Sequence, residues 1–421
     1  MSDHNRAIVP LESWCYSSPE LLDKGKTIDI GLFAEAFIYY ESVAVNITNQ
    51  TMFAEFLMWF IKQGCLDDLL ALVQDGTIQI YDYAFSTNAI LDKRTGEYSI
   101  YNTQDTLQAQ PNTFERRFLY HKEIEALFPK ARQRKRLYEA FREHVIEVKA
   151  SDFAIPIKNA QKDFNDPQRN ALILQSFVDE LCRIRGLGKP NKVTASVKSS
   201  EDGITQNIRY NINLNELSRI AGSKLNFHNG IPLTASVHSN RLIWSAALLS
   251  CDLYLGQPMG MLVGDKLYES TERIAKAGSV IEDLKAKVEF PDVRSLVNSG
   301  VIGFQEILKI RHKAKKFRDW LKEESSRDRE AIIAYHNEVA REIGIVSASK
   351  KCLGIFGVIA GGYAGSLIET SIAGPIGAAL GGTAGKYLED IVTKMGVGWK
   401  PLVFGTWLSK RIKNHVKKYK E

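Results

Sequence analysis

The stretch "AFIYYESVAVNITNQTMFAEFLMWFIKQG", residues 36–64, decides how the N-terminal part of this chain is read. Its first twelve residues are aromatic and β-branched, a composition that fits a strand. The rest places Phe53, Phe56, Leu57, Phe60 and Ile61 at helical spacing, with Gly64 as the stop. "CLDDLLALVQDG" predicts a second short helix ended by Gly76, and "TIQIYDYAF" a strand. "ILDKRTGEYSIYN" predicts a hairpin turning at Thr95-Gly96. Strand and helix signals alternate, so residues 1–112 read as a mixed α/β region.

Residues 113–345 read as a mostly helical middle. Helix is expected through Val148, and an amphipathic helix from Pro167 to Gly186. "NKVTASVKSSEDGITQNIRYNINLNEL" interrupts the helices with a β-hairpin at 191–214, turning at Asp202-Gly203. "PLTASVHSNRLIWSAALLSCDLYLG" reads as one buried helix. Further on, Phe304, Ile307, Leu308, Ala314, Phe317 and Leu321 form an apolar stripe, with Lys309, Lys313 and Lys316 on a solvated face. Ser325 is a candidate cap for the next helix.

Residues 346–421 differ in character. "GVIAGGYAGSLIETSIAGPIGAALGGTAG", residues 357–385, carries a single charge, Glu369. It contains two Gly-x-x-x-Gly-x-x-x-Gly runs, Gly357, Gly361, Gly365 and Gly377, Gly381, Gly385. Glycine costs about 1 kcal/mol per residue in a water-exposed helix. In a bilayer helix is enforced, and glycines four apart form a groove that lets two backbones approach closely. The pattern predicts a glycine-zipper helical hairpin, its arms over about 353–368 and 372–388, broken near Glu369 and Pro375. Each arm of roughly 16 residues spans about 24 Å, against a hydrocarbon core of about 30 Å. The arms are therefore marginal spanners.

The flanks are basic. Residues 350–421 hold 11 Lys/Arg against 4 Asp/Glu, leaving 44 against 45 elsewhere, so the net charge of +6 belongs to this end of the chain. Lys350, Lys351, Lys410, Arg411, Lys413, Lys417 and Lys418 are the candidate lipid-binding cations. Trp399, Phe404 and Trp407 suit a membrane interface. An anionic phospholipid membrane is the expected partner, with homo-oligomers on activation and direct nucleic-acid binding less favoured.

The sequence excludes several chemistries. Mean hydropathy of −0.19 does not fit a polytopic transporter. No basic segment followed by an apolar run opens the chain, so a cytoplasmic protein reaching the inner face of the membrane on activation is expected. Five scattered cysteines form no C-x-x-C and read as reduced, buried thiols. "GGTAGKY" fails as a P-loop, with Leu380 in place of the first glycine and Tyr387 in place of Ser or Thr. "EVK" at 147–149 has the form of a metal-nuclease ending, but it needs a carboxylate on a neighbouring strand and the residues before it read as helix. No catalytic residue, metal or cofactor is expected.

"FIYYESVAV", "VRSLVNSGVIGFQEILKIRHKAKKFRDWL" and the apolar hairpin with its basic tail resemble, in pattern and order, the membrane effectors encoded beside prokaryotic Argonautes. The resemblance implies a non-enzymatic toxic effector of a defence system. A prokaryotic Argonaute or another sensor would hold it inactive until an invader is detected, and it would then damage the inner membrane. Two alternatives remain open: a soluble interaction or nucleic-acid-binding subunit of a defence complex, and a metal-dependent nuclease.

Overall fold

A computed structural model describes, in the main, residues 6–11, 28–47, 50–83, 87–92, 97–102, 113–148, 154–199, 206–213, 230–270 and 293–315, with 318–319, 358–360 and 411–412. The architecture is α+β. Five strands form a parallel sheet: β1 (Arg6–Pro10), β2 (Ser42–Ile47), β3 (Ile78–Tyr83), β6 (Val145–Val148) and β9 (Asp252–Leu255). Their spatial order is β9-β1-β2-β3-β6, and a three-residue strand, β10 (Val358–Ala360), lies outside β9. A small antiparallel sheet of order β4-β5-β8-β7 joins the hairpin β4 (Thr87–Asp92) and β5 (Glu97–Asn102) to the hairpin β7 (Ala195–Ser199) and β8 (Gln206–Tyr210). Both hairpins were expected. The parallel sheet takes strands from both sides of residue 112.

Parallel sheets are buried on both faces, and alternate residues of each strand enter two separate cores here. Ala7, Val9, Val43, Val45, Ile78 and Ile80 face one core. Over it lie α1 (Ile30–Tyr39), α2 (Gln50–Lys62), α3 (Leu66–Gln74), α4 (Phe114–Tyr120), α5 (Lys122–Leu127) and α6 (Ala131–Phe141). Ile8, Ala44, Tyr81 and Leu253 face the other, with α8 (Pro167–Arg185), α9 (Gly230–Leu249) and α10 (Met259–Ser270). Between α6 and β6 comes a short 3-10 turn, Arg142–His144. α7 (Ala154–Asn165) packs with α9 against the antiparallel sheet through Ala160, Phe164, Val237 and Ile208.

Helix α2 and helix α3 form where expected, and Gly64 and Gly76 end them with φ of 66° and 77°. Helix α8 is capped by Asp166 and ends in left-handed Gly186. Four expectations are corrected. Residues 36–39 belong to helix α1, not to the strand, which begins at Ser42. All ten residues of α1 are buried, so no polar face marks its period. The helix expected through Val148 gives way to β6, which pairs with β3. The buried run expected as one helix ends at Leu249, and residues 252–255 become β9, beside central β1. Short, wholly buried apolar runs carry no period that separates strand from helix. Finally, Val358–Ala360, expected within a helical arm, pairs with the free edge of β9, where unpaired backbone groups await a partner. The rest of the glycine-rich hairpin lies outside the described residues, as do Phe317, Leu321 and Ser325.

The segment α11 (Val293–Asn298) and α12 (Phe304–Lys313) covers α1. Phe304, Ile307 and Ala314 are buried on the expected stripe and Leu308 is half-buried, Ile310 joins them in the core, and Lys309 and Lys313 are exposed. Arg311 reaches the C-terminus of α1 and donates from Nη1 to the Phe37 and Tyr40 carbonyls and from Nη2 to the Glu41 carbonyl. Its guanidinium carbon lies 4.1 Å from the centre of the Phe37 ring. Arg318 donates to Ile38 O at 3.0 Å. These cations satisfy carbonyls that a helix end leaves without partners, at the negative end of its dipole. Burial, then the neighbouring Arg318, push Arg311 down to about 9, which leaves it charged at neutral pH.

One glycine shows how close the covering segment lies. A Cβ at Gly31 would stand 2.2 Å from the Arg294 carbonyl oxygen, whereas one at helical Gly264 would meet nothing within 4 Å. Gly31→Ala should therefore destabilise the protein by about 1–3 kcal/mol or more through overpacking. Gly264→Ala should stabilise it by up to about 1 kcal/mol through helix propensity. Urea midpoints of the two variants check the opposite signs.

Candidate functional site

The chain winds from β1 through β2 and β3 to β6 with its helices on one face, then returns to β9 with helices on the other. The winding reverses between β1 and β9. Open α/β sheets bind ligands at such a reversal, beyond the carboxyl ends of the strands. In this protein Asp29 and Arg294 sit there. The Asp29 N–H bonds to the carbonyl of Leu11, just past β1, at 2.9 Å. The Arg294 guanidinium lies against Gly256, just past β9, where a Cβ would stand 2.3 Å from Nη2.

Arg294 donates to Asp29 Oδ2 from Nε at 2.9 Å and from Nη2 at 2.5 Å. Asn298 Nδ2 and the Leu32 N–H donate to Oδ1, both at 2.9 Å. The Asn298 amide oxygen accepts from the Gly31 N–H at 2.9 Å. Beside this group Glu35 accepts from the Tyr254 hydroxyl at 2.8 Å and from the Arg294 N–H at 3.3 Å. Burial pushes the Asp29 carboxyl up, but the Arg294 charge and the hydrogen bonds from Arg294, Asn298 and Leu32 outweigh it, so its pKa falls below the usual value. Arg294 is held above its ordinary value: burial opposes its charge, and the Asp29 carboxylate more than compensates.

A carboxylate offers about four acceptor positions. All four on Asp29 are engaged, so it has no capacity left to take a substrate proton or hold a metal. The crevice is filled by the protein's own arginine and acts as a joint.

A second buried polar group ties α7, α8, α9 and α10 together. Asp163 accepts from Lys266 Nζ at 2.6 and 2.5 Å, from Ser236 Oγ at 2.7 Å and from Asn240 Nδ2 at 2.7 Å. Arg169 pairs with Asp265 and lies 3.9 Å from Asp163. Oδ2 of Asp163 takes three of these bonds and Oδ1 takes one, so Ser236 and Asn240 share the oxygen that also faces Lys266. Cys65, Cys182 and Cys251 are buried thiols, as expected, and burial pushes Cys251 up to about 12. Among the described residues no three His, Cys, Asp or Glu side chains gather as a metal site, and no helix is long and apolar enough to cross a membrane.

Of the candidate helix-packing, lipid-binding and interfacial residues, Arg411 is described. Its Nε lies 2.5 Å from Glu306 Oε1 and its Nη2 lies 3.1 Å from Oε2, a two-point ion pair with α12. The next residue, Ile412, is buried in the core that holds Phe304 and Ile307. Arg411 thus docks on the body. Gly357, Gly361, Gly365, Gly377, Gly381, Gly385, Lys350, Lys351, Lys410, Lys413, Lys417, Lys418, Trp399, Phe404 and Trp407 lie outside the described residues. For "EVK", Glu147 falls on strand β6 and stands in register with Asp82 on β3. The neighbouring carboxylate that the sequence did not reveal is therefore present at that register position. The Asp29–Arg294 pair was missed because 265 residues separate its members. One signal could have found half of it: Asp29 stands three residues before Leu32, the spacing of a helix N-cap.

Removing one partner of a buried pair leaves an uncompensated charge and costs about 3–5 kcal/mol. Arg294→Met should lose that much in urea unfolding, and Asp29→Leu/Arg294→Met should lose less than the sum of the single changes. The pH response has a defined sign. Asp29 has a depressed folded pKa, so its contribution is present above the unfolded value of about 3.9 and is lost as pH falls through the folded value. Asp29→Asn should flatten the stability difference below about pH 4.

No protein-family model, curated protein or solved structure matches this chain.

Proposed function

We propose that this chain is a non-enzymatic toxic effector of a prokaryotic defence system that binds anionic membrane from the cytoplasmic side and permeabilises or depolarises it. The observation that carries the reading is the composition of residues 354–385, a run with ten glycines, one charge and basic flanks. Glycine grooves with i, i+4, i+8 spacing assemble helices where lipid enforces helix. Basic residues near an anionic surface are worth about 1 kcal/mol each. A sensor, of which a prokaryotic Argonaute is the kind suggested by the resemblance, would trigger the change. The Arg411–Glu306 pair and buried Ile412 give the resting state a physical form, with part of the basic tail held against α12. Insertion of the arms would require β10 to leave the edge of β9.

The test uses the full chain with vesicles of anionic and of neutral lipid. Flotation and dye leakage should occur with the anionic vesicles and weaken as salt rises, because charges are screened over about 8 Å at physiological ionic strength. Gly361→Leu/Gly381→Leu should still float yet cease to leak dye, since only hydrogen fits where two backbones nearly touch. Absence of both flotation and leakage in the parent would overturn the reading.

A second reading is favoured by one observation, the register of Asp82 with Glu147 at the carboxyl edge of the sheet. Carboxylates on adjacent strands, followed by Lys149, suit divalent-metal phosphodiester cleavage. Under the membrane reading, purified protein leaves DNA and RNA intact with magnesium or manganese. Robust cleavage abolished by Glu147→Ala would replace it.

A further inference from the structure

Helix α6 carries its charges in the order that its own dipole disfavours. The positive end of a helix stabilises acids and the negative end stabilises bases. Helices α3, α4 and α5 follow this rule, with Asp67 and Asp68, Glu115, and Glu123 and Glu125 in their first turns. Helix α6 has no acid in its first turn and no side-chain cap. Its start carries Lys130 at the N-cap and Arg132 in the first turn instead, and Lys135 and Arg136 follow in its middle, all four exposed. Its acid, Glu139, lies toward the opposite end and is paired with Arg142 at 2.9 Å.

The carboxylates nearby do not neutralise this surface. Glu125 pairs with Arg134, and Glu123 with His121 and Lys122. Arg134 is turned inward, where it donates to the carbonyls of Leu119, Phe128 and Pro129 and so fixes α4 against α6. That leaves Arg116, Lys130, Arg132, Lys135 and Arg136 exposed, with no ion-pair partner among the described residues. Next to the anchored Leu119 stands Tyr120, 71% exposed, the most exposed large apolar side chain among the described residues. Folding gives no reason for either feature. Lys130 and Arg132 at this helix end oppose stability, and an exposed tyrosine ring gains nothing from the core.

We infer that the surface formed by α6 and the end of α4 binds single-stranded nucleic acid. Arginines predominate, and their planar guanidinium groups match phosphate geometry. An exposed aromatic beside a basic track is the arrangement on which an unpaired base stacks. A bilayer is the poorer match: the apolar side of α6, Leu137 and Phe141, is buried, and Tyr120 alone offers no surface for insertion. This inference does not rest on the membrane reading; it gives the body of the protein a ligand of its own.

The experiment measures binding of the full chain to a fluorescent 20-nucleotide single strand by anisotropy across a salt series, with thermal melting of each variant. The triple variant Arg132→Glu, Lys135→Glu, Arg136→Glu should bind at least tenfold more weakly. Its log–log salt slope should fall by about 2, since each single-strand phosphate contact contributes about 0.7. It should melt close to the parent, because all three side chains are exposed. Tyr120→Ala should weaken binding and leave the salt slope unchanged. The inference fails if the parent does not bind the strand. It fails equally if the triple variant binds as the parent does, which would place binding on the C-terminal tail. It also fails if the triple variant loses flotation with anionic vesicles while keeping the oligonucleotide, which would make the surface a lipid site.

Discussion

Asp29 and Arg294 join the two ends of the described fold. Asp29 caps helix α1 just beyond the central strand β1, and Arg294 opens the segment that covers that helix. Such a pair is costly to desolvate and is retained only when its hydrogen-bonding capacity is satisfied. Here Asn298 and the Leu32 N–H complete it. At the other end of α1, Arg311 and Arg318 hold the last carbonyls. The segment from Arg294 to Arg318 therefore grips α1 at both termini while Phe304, Ile307 and Ile310 fill the space between. A helix with no polar face is stable only inside such a sleeve.

The same joint directs attention away from the usual place for chemistry. In an open α/β sheet the reversal of winding is where a ligand belongs, and Arg294 occupies it against Gly256. Asp29 there has every acceptor position engaged, and in the opposite core Asp163 is held by Lys266, Ser236 and Asn240. Three other features stand apart from this joint: the register of Asp82 with Glu147 on β3 and β6, the exposed cations of α6, and the docked start of the tail at Arg411.

The legible parts of the fold were those with one wet face. Helices α2, α3 and α8 alternate apolar and polar residues at helical spacing and stop at glycines with positive φ. The hairpins were marked by their turns. What was misread was wholly buried, as in helix α1 and strand β9, or very short, as in edge strand β6. Helix α1 and strands β6 and β9 are short apolar runs within or beside the sheet, and such runs fit helix or strand equally until their neighbours are known. The polar joint was invisible for a different reason. A carboxylate and a guanidinium 265 residues apart carry no mutual signal in one sequence. The register of Asp82 and Glu147 likewise depends on which strand lies beside which.

Native-state hydrogen exchange on the parent and on Arg294→Gln tests the joint most directly. If Asp29 and Arg294 bind α1 and its cover into one unit, peptides over Ile30–Tyr39 and Val293–Asn298 should lose protection together in the variant. Those over Gly230–Leu249 in the opposite core should not change. Loss confined to residues 293–298, with α1 as protected as in the parent, would show that the helix stands without its sleeve and would contradict the account.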